Sequence, residues 1–141
     1  MKFVDKQLAL KLKEKGFDKP CFGYYQEDEF ILNRTSIHIP FGGNISDTMI
    51  LHQGENDIVD VPTIEQTLEW LREEKKIHIS IDVLSSMNKN FMCKQEPRLL
   101  FDVRVSYFEE EVFNYHELAE PYFKYEDACI AGIEYAINNL I

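Results

Sequence analysis

An α+β fold, in which about three helices pack on one face of an antiparallel sheet, is predicted by three features of the sequence. Apolar residues recur at helical spacing over residues 5–15, 63–76 and 125–140. Strict alternation occupies residues 77–84 and 99–108, the period of strands with one covered face. With 141 residues, 45% hydrophobic and 13% aromatic, the chain can close one sizeable core, so residues 1–141 are expected to form a single domain.

The first helix is expected from Asp5 to about Lys15, with Val4, Leu8 and Leu12 one above another and lysines on the far side. Gly16 has the place of a left-handed C′ residue and Phe17 that of C″, packing back on Leu12, while Pro20 prevents the helix from resuming. "CFGYYQ" and "EFILNR" read as two short strands around the polar turn "EDE", and Gly23 marks a bulge or a close approach. Residues 35–62 are expected to be irregular. "SIHIPF" alternates but Pro40 confines it to an edge or a strand end, and "GGN" at 42–44 is turn chemistry.

Thr63 and Gln66 have the spacing of a capping box, which starts a helix carrying one apolar stripe of Ile64, Leu68 and Leu71. Trp70 lies about 120° from that stripe on a helix, so it either wedges beneath a neighbouring loop or serves as an exposed interface anchor. After Lys76 the period changes to two, and the strand 77–84 is expected to pair antiparallel with "LLFDVRVSYF" across the loop "SSMNKNFMCKQEPR". "EVFNYHEL" and "EPYF" extend the sheet, and a helix over Tyr125–Leu140 closes the chain with Cys129, Ile130, Ile133, Ala136, Ile137 and Leu140 on its apolar face.

Composition narrows the function. A formal charge of −10 opposes attraction to nucleic acid and to anionic membranes, so neither is an expected partner. The charge is uneven, because six lysines lie within residues 1–20 whereas Glu109, Glu110, Glu111, Glu117, Glu120, Glu126 and Asp127 crowd one later segment. That segment is either a solvated face or a patch for a basic partner. Cys21, Cys93 and Cys129 are too widely spaced for a disulfide framework or a zinc knuckle and fit reduced thiols in a cytoplasm. The chain shows neither a signal-peptide pattern nor a run of about 18 apolar residues.

Motifs for catalysis are missing. There is no phosphate loop, no G-x-G-x-x-G and no nucleophile elbow, so no cofactor is expected. His38, His52, His78 and His116 are each isolated, and His116–Glu117 is not a ligand pair because adjacent strand residues point to opposite faces; no metal is expected. One constellation remains: His78, Ser80 and Asp82 should face outward beside Asp102, Arg104 and Ser106, a set suited to acid–base work, to anion binding, or simply to a wet sheet face.

"LKEKGFDKPCFGYY" at 12–25, "VPTIEQTLEWLREEKKIHISI" at 61–81 and "KYEDACIAGIEYAI" at 124–137 resemble, in this order, segments of a family of small uncharacterised α+β proteins from Bacteroides and related gut bacteria, often prophage or mobile-element encoded. The resemblance implies fold and genomic setting, and carries over no activity. The leading expectation is a cytoplasmic, non-enzymatic accessory protein that binds another macromolecule through Trp70 or the aromatic, acidic segment beginning at Glu109–Glu110–Glu111. An immunity or antitoxin-like inhibitor of a basic partner is one version. A small-ligand receptor or enzyme using His78, Asp82, Asp102 and Arg104 is a second class. A self-assembling component is a third, although nothing in the sequence indicates a homo-oligomer.

Overall fold

The computed structural model describes residues 1–39, 42–52, 57–85 and 99–141. Among the described residues, three helices and eight strands follow one another as α1 (Lys6–Glu14), β1 (Gly23–Gln26), β2 (Glu29–Leu32), β3 (Arg34–Ile39), β4 (Gly42–Asp47), β5 (Ile58–Val61), α2 (Ile64–Glu74), β6 (His78–Ser85), β7 (Leu99–Glu109), β8 (Val112–Glu117) and α3 (Tyr125–Asn139). The α+β class is as expected. The described strands, however, divide over three antiparallel sheets rather than one: β2-β1-β5, β3-β4 and β6-β7-β8. The chain divides into two compact units, Met1–Gln66 and Thr67–Ile141, with the boundary inside α2.

In the first unit, α1 starts where the Asp5 carboxylate accepts the Leu8 N–H at 2.8 Å, satisfying one of the orphan donors of the first turn. It ends in the expected Schellman geometry. Gly16 takes φ 91°, Phe17 N–H donates to Leu12 O at 2.9 Å, and Gly16 N–H donates to Lys13 O at 3.1 Å. Leu8, Ala9 and Leu12 are buried on the side of α1 that packs beside β5, where Val59 and Val61 are buried too. The β1–β2 hairpin closes through the two-residue turn Glu27–Asp28, and Lys6 reaches it by donating to the Glu27 carbonyl and to Asp28 Oδ1. That bond, and then the Lys6 charge, lowers the Asp28 pKa. Gly23 is a close approach: a Cβ there would sit 2.6 Å from Phe30 Cζ.

Within 35–62 the described residues form most of β3 and all of β4 and β5, rather than an irregular stretch. Thr35 pairs with Ser46 in the β3–β4 ladder, and β5 pairs with β1 from Gly23–Val61 to Gln26–Ile58. The glycines at 42 and 43, with Asn44, lie within β4 and are not a turn. Gly and Asn weaken a strand without preventing one when a partner ladder supplies the hydrogen bonds, which is why their turn chemistry misleads. Pro40, Gly54 and Cys93 lie outside the described residues.

The start of α2 is the capping box that its sequence announces. Thr63 N–H donates to Gln66 Oε1 at 3.0 Å and Gln66 N–H donates to Thr63 Oγ1 at 3.1 Å. Ile64, Thr67, Trp70 and Leu71 are all buried, so α2 is covered over a broader arc than one stripe. The helix is left through Lys76 at φ 57°, with Ile77 N–H donating to Leu71 O at 2.9 Å.

The second unit is the meander β6-β7-β8 with α3 on one face. Ile79 pairs with Val105 and Ile81 with Val103, and α3 lies so close over them that a Cβ on Gly132 would meet Ile79 Cγ2 at 2.6 Å and Val103 Cγ1 at 3.1 Å. Cys129, Ile133, Ala136 and Ile137 are buried on α3, while Ile130 and Leu140 are half-buried. Tyr122 forms a two-way backbone bridge with Phe101, so "EPYF" does extend the strand edge. Among the described residues no helix is long and apolar enough to cross a membrane.

Candidate functional site

Strand alternation decides what faces away from α3. On β8, His116 points to the helix side, where its ring stacks on Tyr135 at 4.4 Å with parallel planes, whereas Glu117 points to the other side and reaches Arg104. The expected opposition of the two residues is therefore seen. The second face also carries the anticipated constellation in direct register: His78 opposite Ser106, Ser80 opposite Arg104, and Asp82 opposite Asp102.

These groups share a face but do not converge on one point. Four residues of strand separate His78 from Asp82, a distance of about 13 Å. Arg104 is instead engaged by β8. Its Nη2 donates to Glu117 Oε1 at 2.6 Å, its Nε donates to the same oxygen at 3.2 Å, and the guanidinium stands 5.0 Å from the Tyr115 ring centroid. The Glu117 bond, followed by its charge and more weakly that of Asp82, raises the Arg104 pKa still further. Both partners are about half exposed, so the pair orders the face more than it stabilises the fold.

Along the same face the strands end in aromatic rings. Phe108 and Phe113 are cross-strand partners, edge to face at 5.6 Å, and Tyr115 follows two residues later. All three are exposed, at 63%, 59% and 60%. The hairpin turns through Glu110 and Glu111, with φ of 48° and 66°. Two left-handed residues in a two-residue loop suit Asn-Gly, and a pair of glutamates pays backbone energy to stand there. Glu109, Glu110 and Glu111 are all exposed. Trp70 is different: at 2% exposure it belongs to the core and cannot anchor a partner at the surface. Its side chain is drawn in because α2 is covered on more than the stripe that periodicity picks out.

The first unit holds an arrangement that the sequence does not announce. Asp60 on β5 accepts His52 N–H at Oδ2 (2.8 Å) and the His52 Nδ1–H at Oδ1 (2.6 Å), and both side chains are nearly buried. The Tyr24 ring leans on the imidazole, with centroids 4.7 Å apart. Eight residues separate the pair in the chain, so only the fold of the segment before β5 onto the sheet could reveal it. Cys21 is fully buried; burial, and secondarily the Asp60 charge, pushes its thiol up to about 12, which makes it a poor nucleophile. No cluster of three metal-ligating side chains occurs among the described residues.

Comparison with protein-family models, with curated proteins and with solved structures finds no match.

Proposed function

We propose that this chain is a non-enzymatic binding protein whose second unit presents the face of β6-β7-β8 opposite α3 to a basic protein partner. The observation that carries the reading is the exposed triad of Phe108, Phe113 and Tyr115 beside a turn of three consecutive glutamates. Sixty per cent exposure of three aromatic rings leaves on the order of 350 Å² of aromatic surface. That area is comparable to the largest apolar patch of a typical monomer, which is often a functional one. Glu109, Glu110 and Glu111 at the hairpin end and Glu117 on β8 place negative charge next to it, Asp82 and Asp102 lie farther along the same sheet, and Arg104 stands 5.0 Å from the Tyr115 ring centroid. A partner rich in lysine or arginine would place cations on the rings and on the carboxylates together. The burial of thiols at Cys21 and Cys129 supports action in a cytoplasm, and the three segments that resemble the gut-bacterial family support an accessory role in a mobile element.

The test compares the wild type with two variants as bait for proteins of the host lysate, at low and at high salt. Phe113→Ala removes the central ring; Glu109→Lys, Glu110→Lys and Glu111→Lys together reverse the turn. A basic protein should be retained stoichiometrically by the wild type, released by salt, and weakened about 30-fold or more by Phe113→Ala, as for a buried aromatic anchor. Retention of the same protein by both variants would place the contact elsewhere.

A further inference from the structure

The His52–Asp60 pair forms one wall of a cavity of about 190 Å³ in the first unit. Ala9, Phe17, Leu51 and Ile58 supply apolar lining, and Lys13 and Asp18 stand at the polar part of its wall. Each Asp60 oxygen already accepts a hydrogen bond from His52, so the carboxylate has less to offer a cation entering the cavity. Lys13 and Asp18 are exposed and of opposite sign, so they favour neither an anion nor a cation. In the neutral imidazole, the hydrogen bond to Asp60 places the ring proton on Nδ1 and leaves Nε2 as an acceptor. Tyr24 holds the ring plane. An acceptor oriented by a buried carboxylate, beside an apolar hollow, is the usual layout of a small-molecule site: shape from the hydrocarbon walls and direction from one fixed polar group.

We propose that the cavity between α1 and β5 binds a small uncharged molecule with an apolar body about the size of one six-membered ring and a single O–H or N–H donor, which His52 Nε2 accepts. The volume is too small for a nucleotide or a peptide, and the charge of Lys13 in the wall is offset by Asp18, so a phosphate finds no net positive charge there. The site lies within Met1–Gln66 and is independent of the sheet face of Thr67–Ile141.

Phenol is the simplest probe of this chemistry and anisole is its counterpart without the donor. ¹⁵N-labelled full-length protein is titrated with each while the imidazole nitrogens are followed, His38, His78 and His116 serving as internal references. Phenol should shift His52 Nε2 saturably with a dissociation constant on the order of millimolar, as befits a seven-atom ligand, and anisole should bind about tenfold more weakly or not at all. Lys13→Ala should leave the phenol affinity within about twofold, and His52→Phe should abolish the preference for phenol over anisole. Absence of a saturable shift at His52 would overturn the proposal, as would equal binding of the two probes by the wild type. Because the wild-type comparison stands by itself, a His52→Phe chain that fails to fold leaves the proposal decidable.

Discussion

Replacing Gly132 by alanine sets two effects of opposite sign against each other. Alanine in a helix interior is favoured over glycine by about 1 kcal/mol, so on propensity alone the variant should be more stable. In the structure, however, the new methyl would lie 2.6 Å from Ile79 Cγ2 and 3.1 Å from Val103 Cγ1. Carbon atoms pack at about 3.5–4.0 Å, and Cγ2 sits on the stiff branch of a strand isoleucine and cannot swing aside. Overpacking of this kind costs about 1–3 kcal/mol, so a net loss of about 1 kcal/mol is expected. Urea unfolding followed by far-UV circular dichroism measures it. The cause is isolated by Ile79→Ala, which removes Cγ2: in that background Gly132→Ala should become stabilising, giving a coupling energy of about 2 kcal/mol. A stabilised single variant, or no coupling between the two sites, would mean that α3 does not lie on the Ile79–Val103 face, and would remove the reason for assigning the other face to a partner.

Three further outcomes follow from particular residues. Glu110→Asn with Glu111→Gly supplies the residues that the left-handed turn prefers, so it should stabilise the β7–β8 hairpin by about 1 kcal/mol while weakening the basic partner; urea titration and the binding assay read the two effects separately. Thr63→Ala removes half of the capping box and should cost about 1 kcal/mol, readable in the same unfolding experiment. The Cys21 thiol rises from 9.0 to about 12 on folding, chiefly by burial. Its contribution to stability is therefore fully present below pH 9 and is lost as pH rises from 9 through 12. The wild type should lose stability over that range relative to Cys21→Ala, and native Cys21 should resist alkylation at pH 8 until the chain unfolds.

Local rules made much of this fold legible. Helix ends are decided by a few adjacent residues, and Asp5, Gly16, Phe17, Thr63 and Gln66 all take the roles that their spacing implies. The antiparallel pairing of β6 with β7 and the faces they share were legible, because a one-residue slip would turn Ile79 and Ile81 away from Val105 and Val103, but a two-residue shift keeps those faces, so alternation left the register itself open. What local rules could not decide was partnership at long range. Whether β5 joins β1 or the later strands depends on pairing across more than thirty residues, and so the division into three sheets was not visible in any window of sequence. Strands β3 and β4 were hidden by Gly42, Gly43 and Asn44, whose preference for turns is overridden by the ladder. Of the two positions open to Trp70, the structure has the buried one and not the exposed anchor, a choice that a helical wheel with one buried stripe could not make. Of the candidate site, the shared face of His78, Asp82, Asp102 and Arg104 was readable from alternation, and the acidic turn was visible as a run of glutamates. The engagement of Arg104 by Glu117 required the β7–β8 register, and the pairing of His52 with Asp60 required the path of the chain before β5.

If one face of one sheet is built for a basic partner, a residue-resolved binding map should be confined to that face. ¹⁵N-labelled protein titrated with a short arginine-rich peptide should show amide shifts confined to Phe108–Glu117 and to the facing positions Asp102–Ser106, saturating together and fading as salt shortens the reach of charge to about 3 Å at 1 M. Shifts scattered over the other acidic residues, or centred on Glu126 and Asp127 of α3, would show that the protein attracts cations by its net charge alone and that the sheet face has no part in recognition.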